Sequence, residues 1–98
     1  NKEDHVSMGP IAARKAAAIV TNLRRVLAIE ILAGAQALDF LKPLRPAAAV
    51  AAVHARIRRE IPFMKKDRVL AGDIAAVEAL IRSGALRAAA ESEAGRLV

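Results

Sequence analysis

The chain has 98 residues, a formal net charge of +6 and a composition that is 55% hydrophobic but only 2% aromatic. It contains no cysteine, which excludes disulfides, thiolate catalysis and cysteine-ligated zinc. The basic residues are scattered and Trp and Tyr are absent, so nothing beyond the charge favours a nucleic-acid partner. Alanine is the best helix former and β-branched runs are few, so we expect an all-α chain.

A long first helix is predicted over residues 10–41, after a polar segment at residues 1–9. Pro10 suits its first turn, with Ser7 or Gly9 before it as the cap. Two apolar stripes make its middle hydrophobic nearly all round. They are Val20, Leu23, Leu27, Ile31, Gly34, Leu38 and Leu41, and Ile19, Val26, Ala33, Ala37 and Phe40. A chain of this size cannot surround such a helix, so we expect part of a multi-helix bundle that assembles with other chains.

Shorter helices are predicted after the long one. The two prolines of the segment KPLRP end the first helix, and a second is predicted over residues 47–60. A third is predicted over residues 73–83, with Asp73 as its N-cap and Gly84 as its C-cap. Residues 85–98 form a tail that we expect to fray, because it holds few large apolar side chains.

Targeting and membrane signals are missing from the sequence. The longest nearly apolar run, residues 26–38, is shorter than the roughly 20 residues that a membrane-spanning helix needs. The first residues lack the charged lead and apolar stretch of a signal peptide. We therefore expect no membrane partner, and the absence of cysteine fits a reducing cytoplasm. Because the sequence does not begin with Met, we also expect it to be part of a longer protein.

Most residues that could carry chemistry have an ordinary structural interpretation. Glu3, Asp4 and His5 could ligate a metal, but consecutive residues rarely point at one centre, so no metal is expected. Ser7 beside His5 could suggest a nucleophile, but helix capping is favoured. Glu30 lies alone in the apolar run, and we expect a buried carboxylate paired with an Arg of a packed helix, with a functional role as the alternative.

The second predicted helix carries a basic group. Its members are His54, Arg56, Arg58 and Arg59. A solvated outward face is the expected arrangement, and phosphate or nucleic-acid binding is the alternative.

One segment is specific enough to indicate a family. Glu3-Asp4-His5-Val6-Ser7-Met8 stands within NKEDHVSMG, and is followed by IAARKA, VLAIEILAGAQALDF, LKPLRP, IPFMKKDRVLAGDI and LIRSGAL. Together these stretches, which cover most of the chain, resemble the C-terminal region of the aromatic amino-acid lyase family. In the histidine ammonia-lyase branch the first segment usually reads Asn-Gln-Glu-Asp-His-Val-Ser-Met. Branches that act on phenylalanine or tyrosine tend to have Gln-Asp-Val there, so Glu3 favours the histidine branch.

The resemblance implies a cytoplasmic homotetramer of long helices that eliminates ammonia from L-histidine to give trans-urocanate. The electrophile of the family is methylidene-imidazolone, which forms from an internal Ala-Ser-Gly. The family glutamate that matches Glu3 lies in the active site near the imidazole of the substrate, so Glu3 is the expected catalytic and substrate-binding residue. Asp4 and His5 are expected to support it.

Two departures from the family pattern are present. Lys2 stands where the family usually has Gln, and its ammonium group could pair with Glu3 and compete with substrate. The chain contains no Ala-Ser-Gly, so no cofactor is expected within it, and the isolated chain is expected to be inactive. The alternative function is a non-catalytic helical module that associates with itself.

Overall fold

Four α-helices make up the part of the chain that the structure, a computed structural model, describes, residues 8–97. They are α1 (Gly9–Phe40), α2 (Ala48–Arg58), α3 (Ala71–Ser83) and α4 (Ala85–Ala94). No strand occurs within these described residues. The all-α class expected from the alanine-rich composition is therefore confirmed.

Helix α1 spans 32 residues, or about 48 Å at the usual helical rise. Pro10 lies in its first turn, where a missing backbone N–H costs no hydrogen bond. The expectation was residues 10–41, so the observed helix is shifted by one residue. It ends at Phe40, and the backbone N–H of Leu41 donates to the carbonyl of Leu38 before the chain reaches Pro43.

Helices α2 and α3 differ from the expected bounds at their ends. Helix α2 lies inside the expected 47–60, and α3 begins two residues before Asp73. The prediction that Asp73 caps α3 is wrong, because the capping position is Leu70 and makes no side-chain cap bond. Asp73 instead lies in the first turn of α3, where a carboxylate interacts favourably with the helix dipole, and accepts a 2.9 Å hydrogen bond from Arg68 Nε.

Gly84 ends α3 as expected from the sequence. Its φ of 79° is the left-handed conformation that glycine adopts without a Cβ penalty. The expectation of a frayed tail is wrong, since α4 begins directly after this residue. Leu86 of α4 is buried in the core, and Arg87 donates from Nε to Glu91 (2.8 Å) and from Nη2 to the carbonyl of Leu97 (2.7 Å). The burial of Leu86 and the two hydrogen bonds of Arg87 stabilise α4, which its local helix propensity alone would leave only marginally stable.

The helices pack in two pairs, α1 with α3 and α2 with α4, and α3 also contacts α4. Ala28 and Ala35 are the buried residues of α1, and their small side chains let α3 approach closely. The rest of the core consists of Ile57, Ile61, Val77, Leu80 and Leu86. Arg25 and Glu78 add an ion pair of 3.4 Å between α1 and α3.

The described chain is elongated. Its radius of gyration is 18.2 Å, whereas a compact domain of this length has about 13 Å. The cause is α1, because every residue from Met8 to Val20 is exposed and extends past the other helices. We call this stretch, residues 8–20, the arm.

Removing a core side chain should destabilise the fold far more than removing an exposed one of the same type. Leu80 is 4% exposed and Leu44 is 71% exposed. We expect Leu80→Ala to lower the free energy of unfolding by about 2–5 kcal/mol, through lost burial and a cavity. Leu44→Ala should change it by less than about 0.5 kcal/mol. Urea unfolding followed by circular dichroism measures both, and equal effects would contradict the assigned core.

Candidate functional site

Glu3, Asp4 and His5, the residues expected from the sequence to form the site, lie outside the residues that the structure describes, as do Lys2 and Ser7. What the structure describes is the helix that follows them in the chain. Its first hydrogen bond runs from the backbone N–H of Ala12 to the carbonyl of Met8 (2.8 Å). The roles of these five residues therefore stay predictions.

A cluster of charged side chains surrounds Asp39 near the C-terminus of α1. Arg58 of α2 donates from Nε to Asp39 Oδ2 (2.9 Å), and its Nη2 lies 2.7 Å from the same oxygen. The second oxygen, Oδ1, has Lys42 Nζ at 3.0 Å and His54 Nε2 at 3.1 Å. The side chain of Asp39 is only 6% exposed. We call these four residues the Asp39 cluster.

The cluster keeps its carboxylate ionised. Burial by itself would raise the pKa of Asp39, but hydrogen bonds from Lys42, Arg58 and His54 outweigh burial and hold the pKa well below its usual value of 3.8. A general acid or base works best with a pKa near the operating pH. The cluster is therefore suited to joining α1 to α2, and is unsuited to proton transfer near neutral pH.

The segment between α2 and α3, residues 59–70, is held against the helices by side-chain contacts to its backbone. The amide of Gln36 donates to the carbonyl of Met64 (2.9 Å) and accepts from the N–H of the same residue (3.2 Å). Arg68 Nη2 donates to the carbonyl of Pro62 (2.7 Å). The rings of Phe40 and Phe63 meet edge to face at 5.6 Å.

Two cavities of about 400 Å³ each lie among the described residues. The first is mainly apolar and lies between α1, α3 and residues 59–70. Its polar lining groups are Gln36, Arg58, Arg68 and Asp73, and each of them already has a hydrogen-bond partner in the protein. The second lies at the turn before α2 and is lined by Asp39, Lys42 and His54 of the Asp39 cluster. These three side chains are already paired with one another.

Three interpretations of single residues from the sequence are wrong. His54 and Arg58 do not lie on a solvated face, because Asp39 draws both inward; their side chains are 19% and 18% exposed. Glu30 is exposed on α1 and is not buried, because no other described part of the chain covers that side of the helix. Arg56 pairs with Glu60 at 2.9 Å along the surface.

The Asp39 cluster was missed in the sequence although a signal was present. His54 and Arg58 stand four residues apart, so they share one face of a helix. Such a pair indicates that an acid could lie opposite, but the spacing does not reveal which one. Among the described residues, no group of three or more His, Asp or Glu side chains is placed to hold a metal ion.

The comparisons with known proteins identify the family. The model of the family described as aromatic amino acid lyase matches residues 1–59, more than half of the chain. The chain belongs to the aromatic amino acid lyase family. A histidine ammonia-lyase of Sorangium cellulosum is 55% identical over 96 residues, which are 98% of this chain and 19% of the relative. A histidine ammonia-lyase of Symbiobacterium thermophilum is 54% identical over 97 residues, with 99% and 19% covered.

Relatives of lower identity carry the same name. A histidine ammonia-lyase of Natranaerobius thermophilus is 44% identical over 97 residues. The chain thus spans about a fifth of the length of the curated lyases that it matches. No solved structure matches it. None of the helices in residues 8–97 has the length and apolar character needed to cross a membrane.

Replacing Asp39 should destabilise the fold, because Arg58 would keep its charge in a largely buried position without a counter-charge. We expect Asp39→Asn to lower the free energy of unfolding by about 3 kcal/mol. Asp67→Asn, at an exposed position in residues 59–70, should have little effect. Chemical unfolding near neutral pH measures both variants, and an unchanged midpoint for Asp39→Asn would contradict the role of the cluster.

The stability of the wild-type chain should also fall in acid because of Asp39. Its pKa in the folded state is lower than the ordinary 3.8, so the stabilisation is complete above that value and is lost as the pH falls below it. Asp39→Asn cannot lose this contribution and should show a shallower decline between about pH 5 and pH 2. Parallel declines in the two proteins would count against this explanation.

Proposed function

We propose that this chain forms the C-terminal helical part of a histidine ammonia-lyase, which eliminates ammonia from L-histidine to give trans-urocanate in the cytoplasm. The observation that supports the proposal is the identity of 55% and 54% to two proteins named histidine ammonia-lyase, each over nearly the whole chain. The segment from Glu3 to Met8 lies within the range that the family model matches. By the same resemblance, the proposed assembly is a homotetramer.

Glu3 is the residue that we propose contacts the substrate. A carboxylate accepts a hydrogen bond from an imidazole ring N–H, which orients the ring and favours one of its protonation states. Asp4 and His5 would hold this segment in place. Lys2 would partly neutralise the carboxylate, and we propose that it weakens the contact with the imidazole relative to a glutamine at the same position.

The methylidene-imidazolone group that the resemblance implies does not fit any tripeptide of this chain. Arg82-Ser83-Gly84 is the nearest match in sequence, but it forms the end of α3. Ser83 Oγ donates to the carbonyl of Leu80 (3.2 Å) and accepts from the N–H of Ala85 (3.3 Å), and Gly84 is the left-handed cap. These residues terminate a helix, so we propose that the group comes from lyase residues outside these 98.

A second candidate function is a non-catalytic module that associates with itself. The observation in its favour is the apolar surface of α1, which the described chain leaves uncovered. Four of its apolar side chains are each more than half exposed: Ile19, Leu23, Val26 and Phe40. Contiguous exposed apolar surface of this kind usually marks an interaction site.

Substituting Glu3 should impair catalysis in a lyase that contains this chain. The protein to use is the Sorangium cellulosum relative with its matching region replaced by these 98 residues. Glu3→Gln keeps the size of the side chain but removes the charge that favours the imidazole contact. We expect kcat/KM for L-histidine, followed as urocanate formation, to fall by about a hundredfold or more.

The matched control for this substitution is Glu93→Gln, which removes a carboxylate from the exposed surface of α4 and should leave the rate unchanged. The 98-residue chain alone should form no urocanate. Full activity of the Glu3→Gln chimera would refute the role of Glu3. An inactive chimera with the unsubstituted chain, or urocanate produced by the chain alone, would refute the proposed division of the lyase.

A further inference from the structure

We draw no further inference here: the strongest candidate, the apolar cavity between α1, α3 and residues 59–70 with the exposed ring of Phe40 at its edge, carries nothing, because nothing in the structure shows what covers it.

Discussion

The position of α2 relative to α1 depends on one carboxylate. Asp39 lies one residue before the end of α1, and its two oxygens meet Lys42 from the turn and Arg58 and His54 from α2. Because α2 packs on α4, this contact helps fix half of the helices against the long one. A buried carboxylate is unfavourable unless it is paired. The pairing that makes the contact stable also removes the carboxylate from any acid–base role.

The other constraint is that α1 has more apolar surface than this chain covers. Helix α3 covers the side with Ala28 and Ala35, and the core of the described chain is small. The opposite side, with Ile19, Leu23 and Val26, is exposed. Isolated helices are marginally stable in water, and most helical stability in proteins comes from packing. The high alanine content supports the arm locally, but its apolar side chains gain burial only against another helix.

The sequence predicted those features of the fold that depend on interactions between neighbouring residues in the chain. The bounds of α1 and the left-handed cap at Gly84 follow from propensity and from glycine's freedom, which act within a few residues. The parts that depend on which surfaces meet could not be predicted. His54 of α2 contacts an acid on another helix, Asp39 of α1. Asp73 accepts a hydrogen bond from Arg68 and does not cap α3. The helix after Gly84 depends on the burial of Leu86.

The proposed substrate contact and the uncovered part of α1 are close in sequence. Glu3 precedes Met8, the first residue of the arm, by five residues. The arm is exposed and has no covering from α2, α3 or α4. An element packed on the arm would therefore hold the start of α1 in a fixed place. Catalytic groups must be held to within about 0.5 Å of their productive positions, so such a contact would be a condition for the proposed site as well as for the fold.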